Sequence, residues 1–252
     1  MSGITAKWRL PLFLLAVAGL LAASLYPVSP VHGNWGLLAV VIVCLTILFL
    51  YWGFEAGPAT SREIAVIAVL GAIAGLGRIS LAAVPSVQPV TFLVIIAGYV
   101  FGARTGFMVG ATAALASNFF LGQGPWTPWQ MFAWGLAGVS AGYFGKLFPT
   151  ARKGPMVVFH FAWGYLFGCI MNIWTWTAFI SPLSWQSFLV TCAVSFWFDT
   201  MHGVGNVLFY LFFGTGAINI LQRIKRKLEI SRLPAQHLDE ADNRHCPEMI
   251  EN

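Results

Sequence analysis

Several runs of this chain stay apolar for longer than the roughly 18 residues that mark a membrane-crossing helix, and no soluble core can absorb that many uninterrupted apolar side chains. Gly36 to Phe54 and Met156 to Phe179 exceed that length, and Leu10 to Tyr26 and Ile64 to Ser80 come within about one residue of it. About 20 residues at about 1.5 Å each cross the hydrocarbon layer, so the solvent for this chain is a bilayer. Composition agrees, with 58% hydrophobic and 9% charged residues against roughly 45–50% and about 25% in a soluble domain.

Glycine, proline and charge punctuate the apolar sequence into eight segments. Two lead, and Glu55 to Glu63 forms a short polar linker. Six more follow: Ile64 to Ser80, Pro89 to Phe101, Thr105 to Phe120, Thr127 to Leu147, Met156 to Phe179, and a last one ending at Leu221. The expected fold is all-α, a polytopic membrane bundle of two plus six helices. Three regions follow: 1–61 with two helices and a linker, 62–222 as the core, and 223–252 as a solvated tail that begins basic and ends acidic at Asp239, Glu240, Asp242, Glu248 and Glu251. Lys7 and Arg9 ahead of Leu10 to Ala23 look signal-like. No convincing small-x-small cleavage site precedes Pro27, so the first helix reads as retained.

The net charge of +5 does not point to nucleic acid, because the basic residues stand singly at the ends of apolar runs. With both termini in the cytoplasm, thirteen of the fourteen Lys and Arg residues fall inside, and Arg78 alone lies toward the outside. Cytoplasmic loops carry such an excess, so a multi-pass inner-membrane protein is expected. Cys44, Cys169, Cys192 and Cys246 show no CxxC pair and no metal spacing, and read as packing residues.

Small residues recur four apart at Ala68/Ala72, Gly71/Gly75, Gly98/Gly102, Gly106/Gly110, Gly138/Gly142 and Gly164/Gly168. Such pairs let helices approach closely in lipid. Most serve internal packing, and Ala68 and Ala72 suit either that or contact with a partner membrane subunit.

Polar side chains at membrane depth are costly, so each faces a protein interior or marks a site. Asn118, thirteen residues past Thr105, and Asn172, sixteen past Met156, rise roughly 20 and 24 Å from the cytoplasmic ends of their helices and lie in the outer half. Counting back about 20 residues from Arg223 places Asp199 and His202 near the outer boundary, with Asn206 just beneath. Gln88, Gln123, Trp126, Trp129 and Gln130 fall at the same level. Asp199, His202 and Asn206, at i, i+3 and i+7, share one helix face. Asp199 and His202 could form a structural pair, contact a ligand, or ligate a metal, although further metal ligands at that level are not evident. Trp126, Trp129, Trp134, Trp174, Trp176, Trp185 and Trp197 are explained either by an interfacial aromatic belt or by an aromatic pocket for a flat organic ligand. The loop from Ser80 to Pro89 could close over such a pocket. His160 lies away from this level and reads as a packing residue.

Three strings carry a resemblance: PSVQPVTFLVIIAGYVFGARTGFMVGA at Pro85 to Ala111, GQGPWTPWQMFAWGLAG at Gly122 to Gly138, and FDTMHGVGN at Phe198 to Asn206. With them, Ile64 to Leu221 resembles the six-helix S component of energy-coupling factor (ECF) transporters. The resemblance implies a membrane-embedded subunit that captures a vitamin-like micronutrient outside, with no cofactor and no catalysis of its own. It also implies partnership with a transmembrane coupling subunit (EcfT-type) and two cytoplasmic ATPases. The Trp-rich middle string is closest to the branch proposed for cobalamin or related ligands. Ala68 and Ala72 match the alanine-rich face that meets the coupling subunit, and the loop around Pro85 matches the gate. In the importer reading the ligand contacts are the polar and aromatic residues of the outer level: Gln88, Asn118, Trp126, Gln130, Asn172, Trp176, Asp199, His202 and Asn206. The two leading helices depart from the minimal six-helix pattern. No GxxxxGK[ST] loop occurs, in keeping with ATP hydrolysis elsewhere.

Two other functions compete. An intramembrane enzyme would use Asp199 and His202 as acid and base, but no GxSxG, HExxH or paired-Glu motif accompanies them. A self-sufficient secondary transporter would be expected to show internal repeats and midplane ionisable residues, and neither is evident.

Overall fold

A computed structural model describes residues 3–55, 60–150 and 152–230. The acidic end of the tail and the middle of the 55–63 linker lie outside the described residues. Every described regular element is helical: α1 (Gly3–Ser24), α2 (Trp35–Glu55), α3 (Ser61–Ser80), α4 (Val90–Phe101), α5 (Ala103–Leu121), α6 (Trp126–Leu147), α7 (Lys153–Phe179) and α8 (Trp185–Phe209), which continues through a π turn (Tyr210–Gly214) into α9 (Thr215–Ile230). Local signals set the ends. Thr60 caps α3 by accepting from the Glu63 N–H, Ser184 and Ser187 form a capping box at α8, and Gly102 turns α4 into α5 with φ +96°, a conformation that favours glycine.

The centre of the bundle is α4, wrapped by α3, α5, α6 and α7 around Val94, Ile95, Ala97, Val109, Ala113 and Ala137. Contact between α5 and α6 is so close that a Cβ on Gly138 would strike the Gly106 backbone, and one on Gly98 would strike Gly138. Backbone-to-backbone packing of this kind replaces the hydrophobic drive that lipid cannot supply between helices. The leading pair is docked rather than free. Phe13 stacks on Phe49 to join α1 to α2, while Val43 and Ile47 of α2 pack on Trp129 of α6 and Trp174 of α7.

Among the described residues four stretches are long and apolar enough to cross a membrane: α2, α3, α7, and the 44 residues Trp185–Leu228. The expected span Pro89 to Phe101 is a helix of 12 residues, about 18 Å long, well short of the roughly 30 Å of hydrocarbon. The last helix has the opposite excess. It takes 23 residues, roughly 34 Å, to pass from His202, bonded to Thr91 of α4, to Lys225, whose Nζ donates to the Val100 carbonyl. Along α4 those levels are nine residues apart, about 14 Å, so α8–α9 runs at an angle to α4 or bends along its π turn. Residue counting along it overstates depth. Beyond His202 the helix continues 17 residues to Trp185, so His202 does not stand at its end.

At the basic end Arg104 ties three elements together. It donates to the Phe54 carbonyl of α2, lies over the Phe54 ring at 4.2 Å, and pairs with Glu63 of α3 at 3.9 Å. Thr105 adds a hydrogen bond to Glu63 at 3.1 Å.

Overpacking a well-filled core costs about 1–3 kcal/mol or more. Gly138→Ala should therefore lower the thermal midpoint in nanodiscs by several degrees, whereas Gly19→Ala, with nothing within 4 Å of the added Cβ, should not. Equal midpoints would mean that the α5–α6 contact is not as close as described.

Candidate functional site

Because α4 stops short of the far side, its first turn forms the floor of a recess that the longer helices wall in. The cavity has a volume of about 160 Å³ and is lined by Arg78, Ser86, Gln88, Val90, Gln130, Trp134, Phe167 and His202. These residues come from α3, the 81–89 loop and α4, α6, α7 and α8.

Two of the lining side chains share one hydroxyl that lies behind the lining. Thr91 Oγ1, fully buried, accepts from Trp134 Nε1 at 2.8 Å and lies 2.7 Å from His202 Nε2. The Trp134 ring stacks on Phe167 at 4.7 Å, and Phe167 meets His202 edge-on at 5.0 Å. The Trp134 N–H and His202 Nε2 thus both find a partner on burial.

Behind the wall lies an amide relay. Arg78 Nη1 donates to Ser117 Oγ at 2.6 Å and to Asn118 Oδ1 at 2.5 Å, and the Arg78 guanidinium sits 5.0 Å from the Trp134 ring centre. Asn118 Nδ2 in turn donates to Thr127 Oγ1 at 2.9 Å and Gln130 Oε1 at 2.7 Å. Asn118 is thus spent on holding Arg78 and Gln130 in place. The loop over the cup is itself anchored, with Val87 against Gly205 and Pro89 against Gly77. Within it Ser86 holds φ +62°, a left-handed conformation costly for a residue other than glycine and one that clusters at functional sites.

Of the residues singled out from sequence, Gln88, Gln130 and His202 line the cup, and Asn118 supports it from behind. The others lie elsewhere. Asn172 Nδ2 donates to Ser195 Oγ at 2.7 Å, and Ser195 Oγ to Asp199 Oδ2 at 2.8 Å, a chain that joins α7 to α8 where Gly168 leaves room for the carboxylate. Trp176 bonds Ser187 at 2.8 Å, Trp126 is 38% exposed over Gly124, and Asn206 Nδ2 donates to the His160 carbonyl at 3.3 Å. Asp199 and His202 share a helix face but bond to different partners. Among the described residues no group of three or more His, Cys, Asp or Glu could hold a metal ion.

Arg78, Ser86, Thr91 and Phe167 were not singled out as site residues, and Trp134 was grouped only with the other tryptophans. For Arg78 the signal was present: it is the lone basic residue off the basic side, and an ionisable side chain in an apolar span is a site candidate by default. Thr91 carries no such mark in sequence.

A family model described as ECF transporter, substrate-specific component, matches residues 62–224, 163 of the 252 residues. No curated protein and no solved structure gives a match.

Thr91→Val keeps the shape of the floor but leaves the Trp134 N–H and the His202 ring nitrogen without their partner. An unsatisfied buried group costs about 1–3 kcal/mol. Thermal unfolding of the variant should start several degrees earlier, whereas Thr46→Val, whose hydroxyl serves only the Ile42 carbonyl, should change little. A Thr91→Val protein as stable as the parent would remove the hydroxyl from its role.

Proposed function

Because the chain belongs to the substrate-specific components of ECF transporters, we propose that the cup over α4 is where it captures a micronutrient-sized organic ligand. It then acts with a transmembrane coupling subunit and two cytoplasmic ATPases to import that ligand. The observation that carries this reading is a polar, part-aromatic recess built over a truncated helix in an apolar bundle. Binding sites combine apolar enclosure with a few placed polar groups, and this one has both.

The volume bears on the ligand. Drug-sized pockets run to about 300–1,000 Å³, and this cup has about 160 Å³. A small single-ring ligand suits it better than cobalamin, which would require the 81–89 loop to leave its seats on Gly205 and Gly77. The loop is the gate in this reading, and Ser86 its strained point. Asp199 and His202, engaged with Ser195 and Thr91, are not arranged as an acid–base pair, which supports binding without catalysis.

The basic end of the bundle faces the cytoplasm, with both termini on that side. The coupling subunit docks on α3. That helix packs inward through Ile67, Gly71, Ala74 and Gly75, and its other face leaves Ala68 and Ala72 exposed between Ile64, Val69, Ile73 and Leu76. Small residues at four-residue spacing there allow close helix approach.

Ala68→Trp or Ala72→Trp should abolish co-purification with the coupling subunit and ATP-driven uptake while ligand affinity stays within about twofold, since neither residue touches the cup. Uptake that persists without ATPases and collapses with the proton gradient would contradict the proposal.

A further inference from the structure

The Arg78 guanidinium carries a full positive charge into the bundle, and no carboxylate meets it. The one ion pair among the described residues joins Arg104 to Glu63. Both Nη1 hydrogens are committed, to Ser117 Oγ and Asn118 Oδ1. Nε–H and the Nη2 hydrogens make no hydrogen bond to any described residue, and neither nitrogen is sealed from solvent. These two groups form one edge of the guanidinium, with the two-pronged donor geometry that a carboxylate accepts.

The relay adds a second donor. Because Arg78 can only donate, Asn118 must turn its oxygen toward it, and its amide nitrogen then faces Thr127 and Gln130. Gln130 must answer with its oxygen. Its own NH₂ is left over on a residue that lines the cup. The orientation of both amides follows from one cation, and the result is a recess supplied with donors and with one uncompensated positive charge.

Resting on the substrate-binding reading of the cup, we infer that the ligand carries a carboxylate, held side-on by Arg78 Nε and Nη2 with Gln130 as a further donor. One guanidinium balances one negative charge. A phosphate monoester, nearer two charges at neutral pH, would leave an excess charge in a low-dielectric site, where it is costly. The aromatic wall of Trp134 and Phe167 beside Arg78 suits a small ring bearing that carboxylate.

The test uses matched single-ring probes, titrated by calorimetry into the full chain in nanodiscs: benzoate, its neutral isostere benzamide, and phenyl phosphate. Benzoate should bind saturably and about 10- to 100-fold tighter than benzamide, the span expected of charge-assisted hydrogen bonds. Arg78→Gln should erase that preference and Arg78→Lys should keep part of it. Asn118→Asp, which supplies an internal carboxylate to Arg78, should abolish benzoate binding in a protein whose thermal midpoint shows that it is folded. Equal binding of benzoate and benzamide, saturable binding of neither, or tighter binding of phenyl phosphate would overturn the assignment. So would a neutral molecule retained one-to-one by the purified protein, although that result would leave the substrate-binding reading standing. Acid-selective binding without any ATP-dependent uptake would support the carboxylate and sink the importer reading.

Discussion

The length of α4 governs the rest of the structure. Twelve residues cannot cross the hydrocarbon, and a helix that ends inside a membrane protein exposes its first N–H groups and whatever side chains cluster there. Longer neighbours must enclose that end, and the groups they turn toward it must be satisfied. Thr91 does this for Trp134 and His202, and Asn118 does it for Arg78 and Gln130. A recess of about 160 Å³ remains, polar where the relay reaches it and aromatic beside the relay at Trp134 and Phe167. The recess is a consequence of one helix being short.

Holding that geometry requires rigid walls. Glycines at Gly98, Gly106 and Gly138 bring α4, α5 and α6 to backbone contact, so the Trp134 and Gln130 face of α6 and the Asn118 face of α5 cannot drift relative to the floor. On the other side, α7 and α8 are joined by Gly164 against Gly203 and by the Asn172–Ser195–Asp199 chain. That chain fixes where Phe167 and His202 stand. The extra pair of helices adds a buttress: α2 packs on Trp129 and Trp174, and Arg104 locks its end to α3 and α5. Residues read from sequence as possible ligand contacts, such as Asn172 and Asp199, here bond to the helices that shape the cup.

Most of the fold was legible because bilayer chemistry writes it in plain form. Apolar runs between Gly, Pro and charge mark the inner helices to within a few residues, as at Ile64 to Ser80 against α3 (Ser61–Ser80), whereas α1 begins at Gly3 rather than Leu10 and α9 runs past Leu221 to Ile230. Depth was less legible. Counting assumes straight helices normal to the membrane, and α8–α9 meets α4 at two levels far closer along α4 than along itself. The site was legible where an amide stands out in an apolar setting, as Gln88 and Gln130 do. It was missed at Arg78, whose ionisable group in an apolar span marks a site but also reads as a topology signal, and illegible at Thr91, an ordinary helix residue. The i, i+3 spacing of Asp199 and His202 places both on one face but does not say which neighbour each meets, and Gly168 and Thr91 are neighbours from different helices.

The central claim is that the cup over α4 holds the ligand. Quantitative mass spectrometry of the small molecule released on denaturing the purified chain, compared with a Gln88→Trp variant whose side chain fills the cup, tests it most directly. The account predicts a ligand near one per chain from the parent and none from the filled variant. A ligand retained equally by both, or none from a parent protein purified from cells that import the micronutrient, would contradict it.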